Sequence, residues 1–195
     1  MSSFAAFYMQ GSESELLPGV DEWVLSLGFA KKRAFSAPPS ELLRFHLGVH
    51  DFGFLTLNPE WCILYLNGFT LPGRVPVGLK ALEPLAARCA RRSLLFVAQT
   101  TSDCYELAAF DRARCVRHLM YADGARLEDT GERLPGEEGD TFAPISEDEE
   151  QPSPMDDATA ICRAQGFELW SDLHGPGYIW GRRGLFARLF GHSGA

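Results

Sequence analysis

The sequence predicts a single α+β domain, residues 1–195, with an antiparallel sheet of about five to seven strands, helices packed mainly on one face, and a mobile acidic loop. Three observations predict it. Apolar runs of strand length return on one another through short polar bends, as in "FGFLTLNPEWCILYLNG". Helical spacing is confined to a few separate stretches. The acidic residues crowd into one window that is poor in apolar residues and rich in proline.

The first strand is "SFAAFYMQ", apolar and aromatic. A helix follows over Val20 to Leu27, where Val20, Trp23, Val24 and Leu27 recur at spacings of three and four and Gly28 marks the stop. Pro38-Pro39 breaks the chain, and Leu42 to Leu47 forms a strand or short helix. Phe52 to Leu66 is a hairpin turning at Asn58-Pro59-Glu60, and its almost wholly apolar return "WCILYL" belongs inside a sheet. Asn67-Gly68 ends it. "GLKALEPLAARCARR" carries one apolar stripe (Leu79, Leu82, Leu85, Ala86, Cys89) and arginines at the end where the helix dipole favours cations, so a helix is expected over 79–92.

A three-strand meander comes next: "SLLFVAQT", "CYELAAF" and "CVRHLMYA". Asp111 to Arg114 forms a four-residue bend between the second and third strands. The third strand alternates Val116, His118 and Met120 against Cys115, Arg117, Leu119 and Tyr121, so both of its faces need cover. The 79–92 helix is the expected cover. "RLEDTGERLP" reads as an edge strand or extended arm, followed by a mobile loop through "SEDEEQPSP". "MDDATAICRAQGF" is a helix with an acidic start and a left-handed stop at Gly166. "GPGYIWG" reads as a packed turn, and 179–195 as a basic tail.

Net charge is −8 over 195 residues, but it is localised. Between Glu128 and Asp157 stand twelve acids and one base, Arg133; the rest of the chain holds fourteen acids and seventeen bases. Such a field repels nucleic acid and attracts a basic partner within about 8–10 Å at physiological salt. Five cysteines without a CxxC spacing read as reduced core thiols of a cytoplasmic protein. No basic, apolar leader opens the chain, and no window approaches the ~18 apolar residues of a membrane span.

Chemistry-bearing clusters are sparse. His46, His50 and Asp51 lie close in "HLGVHD", but Gly48 argues against the helix that would bring the histidines onto one face, and no further ligands complete a metal site. Cys104 and His118, oriented by Asp111 or Asp103, are the candidate pair for a small hydrolase or transferase. No phosphate-binding glycine loop is present, and no cofactor is expected. In the tail, Phe186, Leu189 and Phe190 would share one side of a short helix, the feature an adaptor subunit would use.

The run "GLKALEPLAARCARRSLLFVAQTTSDCYELAAFDRARCVRHLMYADG" has a further look. A leucine- and alanine-rich helix leads to an apolar strand, then "YEL" and "FD" before a bend, then "VRHLMY", with "TGERLPGEE" trailing. Over about residues 79 to 138 this layout resembles small bacterial proteins of the immunity class, which neutralise a cognate toxin by binding it. The resemblance implies a non-catalytic protein that occludes a toxin's active site, and it transfers no catalytic residues. On that reading Glu128, Asp129, Glu137, Glu138, Asp140, Glu147, Asp148, Glu149 and Glu150 supply charge for a basic toxin, and Tyr121 and Trp180 act as exposed aromatic anchors.

Overall fold

The computed structural model describes residues 3–35, 52–66, 70–71, 75–76, 78–88, 91–99, 103–143, 153–169 and 177–182. In chain order these form β1 (Ser3–Gln10), α1 (Glu13–Ser26), β2 (Phe29–Phe35), β3 (Phe52–Asn58), β4 (Trp61–Leu66), β5 (Thr70–Leu71), β6 (Val75–Pro76), α2 (Leu79–Ala86), β7 (Arg92–Gln99), β8 (Cys104–Asp111), β9 (Arg114–Ala122), β10 (Ala125–Gly131), α3 (Pro154–Ala164) and β11 (Gly177–Arg182). Nine strands make one sheet in the order β10-β9-β8-β7-β1-β4-β3-β11-β2, and β5 and β6 form a separate two-stranded ribbon. Every neighbouring pair in the large sheet is antiparallel. The fold is therefore α+β, with more strands than the five to seven expected.

Strand alternation divides the core in two. Ala5, Phe7 and Met9 of β1, with Phe54, Leu64, Leu95 and Phe110, pack beneath Val20, Trp23 and Val24 of α1 and Leu82 and Leu85 of α2. The opposite phase of the same strands, including Tyr8, Ile63, Phe96, Leu107, Leu119 and Tyr121, packs against Phe142, Phe167, and Ile161 and Cys162 of α3. Two of the three helices, α1 and α2, thus lie on one face of the sheet, and α3 covers the other. That is why "WCILYL" and "SLLFVAQ" carry no polar phase: strands buried on both sides have none to show water. Each large apolar side chain taken from water in this way contributes about 1.5–3 kcal/mol.

Helix boundaries moved for identifiable reasons. α1 begins at Glu13, earlier than Val20, because Glu15 Oε2 accepts from Ser12 N at 2.8 Å and fixes a helix start. Pro18 does not stop it. Pro18 and Ser14, whose carbonyl loses its helical donor to the proline, are both exposed, so the break falls on the solvent side of the helix and not in the core. α2 ends at Ala86, short of 92, with Arg88 Nη1 donating to Pro84 O at 2.7 Å; Arg92 already belongs to β7. At α3, Ser153 and Asp156 exchange capping hydrogen bonds (Asp156 N to Ser153 Oγ 3.3 Å, Ser153 N to Asp156 Oδ2 3.0 Å), and Pro154 occupies the first turn.

Turn chemistry fixes the hairpins. Asn58 Oδ1 accepts from Glu60 N and Trp61 N, each at 2.9 Å, closing the β3–β4 turn. The β8–β9 connection is two residues, Arg112-Ala113, since Asp111 and Arg114 already pair. Asp123 and Gly124, at φ 53° and 74°, give β9–β10 the primed turn that matches strand twist.

Two strands of the large sheet, β2 and β11, were not foreseen, nor was the β5–β6 ribbon. β11 is the stretch expected to be a glycine-rich turn, and it inserts between β3 and β2. Trp180 Nε1 donates to Asp21 Oδ1 at 2.8 Å, and Tyr178 OH to Glu13 Oε1 at 2.9 Å, so both bind β11 to α1. No helix among the described residues is long and apolar enough to cross a membrane.

Candidate functional site

The acidic segment is built into the sheet. β10 is an edge strand whose residues are nearly all exposed, with a bulge between Arg126 and Glu128 that pushes Leu127 out to 55% exposure. Charged side chains and a bulge at an edge discourage addition of a further strand, so recognition here would use side chains, not backbone.

Beneath this edge lies Arg117 of β9, only 4% exposed. Its guanidinium donates from Nε and Nη2 to Glu137, at 2.9 Å to Oε1 and 2.7 Å to Oε2, and from Nη1 to Asp129 Oδ1 at 2.6 Å and Thr130 O at 3.1 Å. Glu137 Oε1 also accepts from Leu134 N at 2.8 Å, and the Glu137 side chain is fully buried. Burial alone would lower the Arg117 pKa; the hydrogen bonds that Arg117 donates to Glu137 and Asp129 outweigh it and raise it. The same guanidinium, hydrogen-bonded to Asp129, holds that carboxyl below its ordinary range.

Further ties run on along the segment. Arg126 Nη1 pairs with Asp140 and with Asp129 Oδ2. Phe142, wholly buried, anchors the far end against α3, and its N–H donates to Asp157 Oδ2 at 2.7 Å. Residues 132–143 are therefore tied to β9, β10 and α3, and most of the expected mobile loop, residues 144–152, lies outside the described residues.

The expected binding residues separate accordingly. Glu128, Asp129, Glu138 and Asp140 are exposed at this edge. Asp129 and Asp140 share Arg126, whereas Glu128 and Glu138 form no ion pair among the described residues. Glu137 is not available to a partner, because it neutralises Arg117. Tyr121 and Trp180 are not exposed anchors: they are 1% and 0% exposed, since Tyr121 shares the inward phase of Leu119, and Trp180 faces α1. Glu147, Asp148, Glu149 and Glu150 lie outside the described residues, as do His46, His50, Asp51, Phe186, Leu189 and Phe190. Arg117 and Arg126 were missed, although Arg117 had a signal. It falls in the buried phase of β9, where a charge demands a partner.

Cys104 and His118 do not meet. His118 lies opposite Ala108, and Cys104 is four residues further along β8, about 13 Å at strand rise. Nε2 of His118 instead lies 3.1 Å from Glu106 Oε1, which also accepts from Leu79 N at the start of α2. The four described thiols are all held above their ordinary pKa, which disfavours the thiolate. Burial pushes Cys62 up to about 11 and Cys162 higher still; burial and then Glu106 raise Cys104, and burial raises Cys115. Native protein at pH 8 should accordingly alkylate Cys62 and Cys162 at least ~10-fold more slowly than unfolded protein, by mass spectrometry. Equal rates would contradict their burial. No group of three or more His, Cys, Asp or Glu among the described residues is placed to hold a metal.

One cavity of about 280 Å³ opens on the α3 side of the sheet, where β7 begins and β8 ends. Trp61, Leu94, Val116 and Leu134 line it, with Arg92 and Arg133 among its charged residues. Comparison with known protein families, with curated proteins and with solved structures gave no match.

Proposed function

We propose that this chain is a cytoplasmic immunity-type protein that binds a cognate bacterial toxin of basic character and neutralises it by occluding the active site. The observation that carries the reading is the anchoring of residues 129–142 by Arg117, Arg126 and Phe142. A loop that serves only solubility has no need of a buried ion pair beneath it. Carboxylates held on a rigid edge lose little conformational entropy when a partner docks, so more of their attraction becomes affinity. Glu128 and Glu138 are the charges free to steer a basic surface, and exposed Leu127 between Arg126 and Glu128 gives the edge an apolar point of contact.

The test begins with capture from the native cell lysate at low and moderate salt. The captured protein is then expressed alone and together with this chain. The expected result is growth arrest by the partner alone and recovery on co-expression. A harmless partner, or toxicity that co-expression does not relieve, contradicts the reading.

Reversing both Glu128 and Glu138 to lysine should slow association about 10-fold or more at low salt, with the difference fading as salt screens the charges. Both side chains are exposed, so stability should hold within about 0.5 kcal/mol. Stopped-flow rates across a salt series measure the first effect and thermal melting the second. Unchanged rates would remove this edge from the interface.

A further inference from the structure

The cavity on the α3 side combines features that the toxin-binding reading does not use. We propose that it binds a free α-amino acid with a large apolar side chain, held as the zwitterion. Four charged residues line it: Arg92 and Asp111, which face one another across β7 and β8, and Glu132 and Arg133, which follow β10. None of the four takes part in an ion pair among the described residues. Two cations and two anions favour neither a simple anion nor a simple cation, because each would be attracted by one pair and repelled by the other. A molecule carrying both signs satisfies the arginines with its carboxylate and the acids with its ammonium.

The wall between these charges is apolar and preformed. Trp61 is buried and packed on Phe167 with ring centroids 4.5 Å apart, so it does not need to be ordered by a ligand. Leu94 and Val116 extend the same surface. At about 280 Å³ the space lies just below the usual range for drug-sized ligand pockets, about 300–1,000 Å³, which suits a molecule the size of phenylalanine and is too small for a dinucleotide.

A further polar group lacks a partner at this site. Gln165, which ends α3 and lines the cavity, has its amide nitrogen buried with no hydrogen-bond acceptor. A buried N–H donor without an acceptor is uncommon in folded proteins, and a ligand carboxylate supplies one. Ser93 also lines the cavity and its Oγ is unpartnered, but Ser93 pairs with Met9 and Phe110 in the strand phase that turns the hydroxyl to the α1 face, away from the ligand.

Calorimetry and amide-resolved NMR on the full chain test this with three probes: L-phenylalanine, N-acetyl-L-phenylalanine, which lacks the ammonium, and 2-phenylethylamine, which lacks the carboxylate. L-Phenylalanine should bind once per chain with a dissociation constant of about 0.1–1 mM, the range open to so small a ligand. Each analogue should bind at least ~10-fold more weakly. Shifts should centre on the Trp61 indole and the Gln165 side-chain amide. Gln165→Met should weaken binding and raise Tm in the ligand-free protein, because it removes the unpartnered amide, and Arg92→Gln should weaken binding with a dispersed spectrum retained. No saturable binding of L-phenylalanine overturns the proposal. So does equal binding of all three probes, or binding that neither substitution alters.

Discussion

Arg117→Ala is expected to destabilise the protein by about 3–5 kcal/mol, because it leaves the Glu137 carboxylate buried and uncompensated. Against a typical total of about 5–15 kcal/mol, that is enough to unfold a marginal domain. The loss comes from the orphaned charge more than from the bond itself. Arg117→Met combined with Glu137→Leu should therefore be much less costly than Arg117→Ala alone, since no charge is then stranded. Denaturant melts of the single and double variants decide it, and a double variant as unstable as the single would show that the pair is not what holds the segment. The Asp129 branch adds a dependence on pH. Its folded pKa lies below its unfolded value, so its contribution is complete above the unfolded value and is lost as pH falls through the folded pKa.

Gly131→Ala and Gly136→Ala should each cost about 3 kcal/mol or more, combining backbone strain with overpacking. Gly131 has φ +91°, and a Cβ there would stand 2.0 Å from Val116 O of β9. Gly136 has φ +93°, and its Cβ would stand 2.6 Å from Ala160 O of α3. Both neighbours are backbone in regular elements, so neither can step aside as a flexible side chain would. These two glycines let the acidic segment lie against β9 at one point and α3 at the other. Chemical unfolding measures the effect; a change within about 0.5 kcal/mol would show that the segment does not sit this close.

The hairpins and the meander were legible because their information is local. "NPE" and "DG" specify turns, and "WCILYL" and "SLLFVAQT" are too apolar for anything but the inside of a sheet. α3 was legible for the same reason, with its acidic start and the stop at Gly166. β2 and β11 were not. "FAKKRAF" carries three consecutive cations and "GYIWGR" two glycines, so neither shows a strand pattern. They become strands by pairing with each other across most of the chain, and β11 with β3 as well, and pairings that distant leave no local mark.

At the candidate site, the acidity of the edge was plain in composition, but its division was not. Glu137 and Glu138 are adjacent in sequence, yet one is sealed under the edge by Arg117 and the other faces water. The buried phase of Arg117 in β9 hinted that some nearby acid must turn inward. Only the fold says which. The same alternation placed Tyr121 beside Leu119 in phase, and it argued for burial of that ring over its use as an exposed anchor.

The proposed function needs the acidic edge to be a fixed, preformed surface. Amide hydrogen exchange over residues 126–143 of the unmodified protein tests it most directly. Slow exchange is expected at Glu132 N, bonded to Val116 O, at Leu134 N, bonded to Glu137, and at Phe142 N, bonded to Asp157, with protection at least ~100-fold above an unstructured chain. Exchange at the unstructured rate across these three amides would mean that the acids hang free in solvent, and the preformed surface would then be lost.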